Sequence, residues 1–119
     1  MLNLDTHVLL HALSGSISAK ERALLTKQSW SISAIVLWEI AKLSELGRID
    51  VELADLVTPL RTIHIWPITL DVCRRRAQLD FKSDPADEII AATSLLHTLP
   101  LVTRDRKIRR SRVVPLALS

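Results

Sequence analysis

The spacing of apolar positions changes several times along this chain, and each change marks an element. Leu2 and Leu4 flank Asn3 as in a short buried strand, and Val8, Leu9, Leu10 and Leu13 then recur at helical spacing. Asp5 sits at that junction, past the strand and before the helix. Ser18 and Glu21 have capping-box spacing and predict a second helix from Ala19 to about Lys27. Trp30 to Ser33 reads as a short strand. Ser33 can then cap a long helix, Ala34 to Leu46, that Gly47 ends. Asp50 is placed to cap a further helix that Pro59 stops. Ile63 to Trp66 alternates like a strand up to Pro67, and Thr69 caps a helix to about Leu79. Asp84-Pro85 is a helix start, with Asp as cap and Pro at the first helical position, and that helix runs to about Thr98. Leu101 to Thr103 is a strand, a short basic helix follows, and Val113-Val114 is a last short strand.

Strands alternating with helices predict right-handed crossovers and a mostly parallel sheet covered on both faces. The expectation is a three-layer α/β/α fold with about five strands and seven helices. At 119 residues, 48% of them hydrophobic, the chain suits one domain, residues 1–119, with one core. Cys73 is the only cysteine, which excludes an intrachain disulfide and a cysteine zinc cluster. Its apolar-patterned helix suggests a small core residue in a reducing, cytoplasmic setting. The first basic residue is Lys20, and Asp5, His7 and His11 interrupt the early apolar run, so a signal peptide is not expected. Nor does any stretch approach the length of a membrane span. The net charge of +3 permits a polyanionic partner without requiring one.

The distribution of acids changes this picture. On a helical wheel Glu39 falls between Ile35, Leu43 and Leu46, inside the apolar arc. A carboxylate there is costly unless it is paired or bound to a metal. Asp87 shares a face with Ile90, Ala91 and Ser94, which should turn it inward and leave Glu88 outward. Asp5 and Asp105 each follow a strand, where open α/β sheets bind ligands. Each acid also has a bland account: Asp5, Asp84 and Asp105 as helix caps, Asp87 as a partner of the helix dipole, Glu39 in a buried ion pair. Four acids in one crevice, however, would repel one another without a cation. Oxygen-only donors select a hard ion, Mg²⁺ or Mn²⁺, and such a site suits phosphodiester hydrolysis. Thr6 and Thr103 could orient carboxylates or waters, with Asp84 close by.

Four segments in order carry a family resemblance. Leu4-Asp5-Thr6-His7-Val8-Leu9-Leu10, Ser33 to Ile40, Asp84 to Thr93 and Leu101 to Asp105 resemble the PIN domain, and more narrowly the VapC-type toxin ribonucleases of prokaryotic toxin–antitoxin pairs. The resemblance spans essentially the whole chain. It implies Mg²⁺- or Mn²⁺-dependent RNA cleavage with Asp5, Glu39, Asp87 and Asp105 as the acidic site. It also implies a homodimer and a small antitoxin that blocks the crevice. Glu88 departs from the pattern, since many members carry a basic or apolar residue there. It would add negative charge near the site.

Basic residues form a second theme. From Arg104 to Arg112 six of nine positions are Arg or Lys, and Arg74, Arg75 and Arg76 form another cluster. Beside a strand-end acidic site, Arg104, Arg106, Lys107, Arg109 and Arg110 could hold an RNA backbone through its phosphates. With aromatics at 3%, a base-stacking platform is not expected, and Trp30, Trp38 and Trp66 read as core. His7 and His11 are four apart on one helical face, the spacing of a zinc pair, but without the glutamate of the protease motif they read as near-site residues. Two other functions stay open. One is a non-catalytic RNA-binding or dimerisation subunit on the same fold. The other is a phosphatase using an Asp nucleophile, although His7 occupies the position where that chemistry wants a second acid.

Overall fold

The structure, a computed structural model, describes residues 1–118. Four strands, β1 (Leu2–Leu4), β2 (Trp30–Ser33), β3 (His64–Trp66) and β4 (Leu101–Val102), form one sheet in the order β3-β2-β1-β4. Every pairing is parallel. The helices are α1 (Thr6–Ser14), α2 (Ala19–Leu25), α3 (Ala34–Glu45), α4 (Leu70–Arg75), α5 (Pro85–His97) and α6 (Arg106–Arg109). The chain moves from β1 to β2 and β3 on one side, then returns to place β4 on the other. Crossovers leaving the central strand in opposite directions cover opposite faces and open a crevice at the carboxyl ends of the strands.

The centre of the sheet explains its sequence. Leu2, Asn3 and Leu4 are all fully buried, as a strand covered on both faces must be. Val8, Leu9, Ile32, Val36, Ile40, Ile90, Leu101, Val102 and Ile108 close the core around them. Burying each large aliphatic side chain contributes roughly 1.5–3 kcal/mol. Asn3 is the polar exception in β1, and its amide donates to Ser94 Oγ at 2.9 Å and to the Ile90 carbonyl at 3.3 Å, tying α5 to the sheet. The small run at the middle of α5 makes that approach possible, since Ala91, Ala92 and Ser94 are all buried.

The predicted caps at Ser18, Ser33 and Thr69 form, each accepting a backbone N–H of its own helix. Other expectations need correction. Val113-Val114 is no strand. Instead Leu116 makes an isolated parallel bridge to Leu101, so the sheet has four strands where about five were expected. Asp50 caps no helix, and Leu53–Leu56 and Pro59–Thr62 are two separate 3-10 turns, because Pro59 lacks the N–H that a continuous helix needs. The helix after Thr69 ends at Arg75 and continues only as a 3-10 turn at Arg76–Gln78. Cys73 is exposed rather than core, since α4 is short and turns only Val72 fully inward. Trp38 is 58% exposed rather than core, while Trp30 and Trp66 are half-buried. Among the described residues no helix is long and apolar enough to cross a membrane.

Candidate active site

Strand register decides which side chains meet. Leu4 is paired with Val102, so Asp5 and Thr103 leave the sheet side by side. Thr103 Oγ1 donates a short hydrogen bond to Asp5 Oδ2 across a sequence separation of 98. Asp5 Oδ1 accepts from the Val8 N–H at 3.0 Å. Asp5 is thus both the cap of α1 and a fixed carboxylate at the mouth of the crevice. Thr103 Oγ1 in turn accepts from the Asp105 N–H at 3.1 Å, and Asp105 Oδ1 caps α6 through the N–H groups of Lys107 and Ile108.

Two helices bring in the other acids. α3 starts directly after Ser33, so its second turn hangs over the strand ends, and Glu39 Oε1 accepts a short hydrogen bond from Thr6 Oγ1. The buried stripe of α3 is Val36 and Ile40, and Leu46 is 57% exposed, so Glu39 lies on the flank of the core and not within it. At the start of α5, Asp87 Oδ2 accepts from Ser83 Oγ at 2.9 Å. Asp84 stands at the cap position without a side-chain capping bond. Asp5, Glu39, Asp84, Asp87 and Asp105 line one cavity of about 430 Å³, together with Thr6, His7, His11 and Arg104.

The electrostatics of the cavity follow from burial and like charge. Burial pushes the Asp5 carboxyl above its ordinary value, opposed by the Thr103 and Val8 hydrogen bonds, and Asp105 adds repulsion. Burial also raises Glu39 against the Thr6 bond, with Asp87 and Asp5 repelling it. Asp87 is raised by burial against the Ser83 bond, with Asp105, Asp84 and Asp5 as like charges. Arg104 is the one arginine or lysine lining the cavity, and its charge is already engaged. Arg104 Nε and Nη2 meet the two Glu21 carboxylate oxygens at 2.9 and 2.7 Å, and Nη2 also donates to the Ser16 carbonyl.

The side chains that could hold a cation are therefore Asp5, Glu39, Asp87 and Asp105. As they stand, no three carboxylates or imidazoles among the described residues enclose a single point closely enough to ligate an ion. The donor chemistry nevertheless fits a hard cation: hydroxyl-braced oxygens, under-compensated charge, and no thiolate or imidazole bonded to the acids.

Other expectations divide. Thr6 braces Glu39 and Thr103 braces Asp5, while His7 and His11 flank the cavity. Arg106, Lys107 and Arg110 are exposed on and after α6 and do not line the cavity. Arg104 is drawn to Glu21. Glu88 corrects the sequence reading most clearly. It is 6% exposed, not outward, and its carboxylate accepts from Arg76 Nε at 2.8 Å and from the Ser83 N–H at 3.3 Å. Its charge is answered by Arg76, which lowers its pKa. Ser83, and the pairing of Glu21 with Arg104, escaped the sequence reading. Ser83 had a local signal one residue before Asp84, whereas the pairing of Glu21 with Arg104 spans 83 positions and had none.

The doubly wound parallel sheet is shared with a known family, and the family model for the PIN domain matches residues 3–113. The chain belongs to the PIN-domain family. Over 100 residues it is 32% identical to Ribonuclease VapC22 of Mycobacterium tuberculosis, covering 79% of this chain and 76% of that protein. A toxin–antitoxin complex from Klebsiella pneumoniae contains a chain that is 25% identical, with TM-score 0.69 over 92% of this chain and 91% of that one. VapBC2 from Rickettsia felis, solved bound to a DNA fragment from its promoter, gives TM-score 0.73 at 18% identity, over 98% and 97% of the two chains.

Proposed function

We propose that this protein is a metal-dependent endoribonuclease, the toxin of a toxin–antitoxin pair, and that Asp5, Glu39, Asp87 and Asp105 form its Mg²⁺ or Mn²⁺ site. The observation that carries this reading is the cavity itself. Five carboxylates from four separate parts of the chain line it, three of them with raised pKa, against one arginine already paired elsewhere. Folding concentrates negative charge there at a cost, and a bound cation offsets that cost.

The ion, when bound, supplies charge neutralisation for the phosphate and acidifies a water. The chain's own residues do the rest. Thr103 and the Val8 N–H fix both oxygens of Asp5, Thr6 fixes Glu39, and Ser83 fixes Asp87, so the donors are aimed before substrate arrives. The proton of the attacking water passes to solvent or to a carboxylate oxygen of the cavity that the cation would leave free. A new bond forms from that water to phosphorus, a ribose oxygen leaves, and the leaving oxygen is protonated from solvent or a neighbouring acid.

We further propose a second copy of this chain and a small antitoxin as partners, the latter with an apolar segment and a basic residue reaching the acidic cavity. The relatives above that are toxin–antitoxin complexes support this. The test is cleavage of structured RNAs in Mg²⁺, Mn²⁺ and EDTA by wild type and by Asp5→Asn. Cleavage by wild type with either ion, none in EDTA and none by the variant is the expected result. Cleavage in EDTA, or by Asp5→Asn, would overturn the assignment. A non-catalytic binding subunit would bind RNA and leave it whole.

A further inference from the structure

A second cavity, of about 450 Å³, adjoins the acidic one, and Arg104 lines both. Its other polar walls are Ser18, Lys20, Glu21, Thr103 and Arg109. Lys20 opens α2 and Arg109 closes α6, so two elements far apart in sequence converge on it. The charge balance is the reverse of its neighbour's. Glu21 and Arg104 cancel in a two-pronged ion pair. Lys20 and Arg109 make no ion pair among the described residues, leaving an excess of two positive charges.

The dividing wall is rigidly built. Glu21 is 5% exposed and its Oε1 also accepts from the Ser18 N–H at 2.8 Å, so the capping box of α2 anchors the carboxylate that anchors Arg104. Arg104 uses Nε and Nη2 in these contacts, and Nη1 makes no hydrogen bond among the described residues.

From this juxtaposition we propose that the Lys20–Arg109 cavity is a phosphate subsite that takes the backbone phosphate of a nucleotide flanking the one cleaved, with the RNA strand crossing Arg104 between the two cavities. The proposal rests on the nuclease reading and deepens it. A strand with one phosphate among carboxylates has its neighbouring phosphates repelled by the same acids. The nearest place that attracts them is across Arg104. Phosphate contacts fix the register of a strand without reading its bases, and a single subsite of this kind sets where the strand lies relative to the cut.

The test compares Asp5→Asn protein with the same protein also carrying Lys20→Ala and Arg109→Ala, by fluorescence anisotropy of a labelled uridine octanucleotide across a salt series. A charge-matched control carries Lys27→Ala and Arg61→Ala, exposed residues that precede β2 and β3 and so lie at the opposite ends of the strands. The Lys20/Arg109 pair should weaken binding about tenfold at low salt and reduce the salt slope by about 1.4, the loss of two single-strand phosphate contacts. The control should keep the slope and most of the affinity. In cleaving protein the Lys20/Arg109 pair should raise KM about tenfold with kcat unchanged. Unchanged affinity and slope, an equal loss in the control, or no binding at all would overturn the subsite. If wild type cleaves no RNA while the binding pattern holds, the nuclease reading fails and the subsite stands.

Discussion

Asp5 shows how much one residue can be asked to do. Its Oδ1 caps α1 and its Oδ2 is held by Thr103, yet burial and the other acids raise its pKa. A carboxyl whose folded pKa lies above its unfolded value binds protons more tightly when folded. Its contribution to stability is therefore present at low pH and lost as pH rises from the ordinary carboxylate range through the folded value. Asp5, Glu39 and Asp87 all shift this way. In EDTA the melting temperature should fall as pH is raised above the ordinary carboxylate range, and millimolar Mn²⁺ should remove most of that fall. Glu21 acts with the opposite sign. Its pKa is lowered to about 2, chiefly by Arg104, so its share of stability is present above the ordinary carboxylate range and is lost progressively as pH falls from there to about 2. The metal-free Asp5→Asn protein should match or exceed wild type in stability, since Asn caps nearly as well as Asp, and should gain much less from Mn²⁺. Thermal melts in both media measure this, and equal metal-induced shifts in the two proteins would sink the four-acid site. That these acids line one cavity was partly legible in the sequence, from Asp5 and Asp105 at strand ends and Asp87 on an inward face, whereas the apolar arc assigned to Glu39 lies at the flank of the core. Their threonine and serine braces were only half legible, because a hydroxyl's partner depends on register, which pattern alone does not fix.

At the level of elements, α5 is where the sequence misled. Glu88 was expected outward because Asp87 beside it turns inward, but Arg76 follows α4 closely enough to meet Glu88 as α4 packs on α5. Glu88 therefore belongs to the joint between two helices rather than to the acidic cavity. Glu88→Ala should lower unfolding stability by roughly 1–3 kcal/mol, the range for losing hydrogen bonds to a charged group, and leave the Mn²⁺-induced shift as in wild type. Urea unfolding with and without the ion separates the two effects, and a changed metal response would return Glu88 to the site. Strand existence was readable from short apolar runs, and caps from Ser18, Ser33 and Thr69. The last strand was not readable, because Val113-Val114 has the composition of a strand while the bridge is made two residues later, where the Leu101 N–H finds the Pro115 carbonyl.

For the whole molecule, the fold follows from sequence order, since strands alternating with helices leave few ways to wind a parallel sheet. Partners do not follow in the same way, because an exposed surface carries no mark of what covers it. Co-expression with the protein encoded by the adjacent small open reading frame should relieve growth inhibition and give a complex stable to gel filtration. A toxic chain that no neighbour rescues would leave the nuclease and remove the pair. The strand order has one more consequence. β1 lies between β2 and β4 in the sheet, yet the brace Thr103 that follows β4 comes 98 residues after Asp5. Asp5 cannot be aimed until Thr103 has left the ribosome, and Asp105 lies two residues beyond. A nascent chain that has passed Asp87 but not reached Asp105 holds three of the four proposed ligands and cannot assemble the proposed centre. Synthesis itself thus withholds the proposed centre until both Thr103 and Asp105 have been made, however early Asp5 emerges.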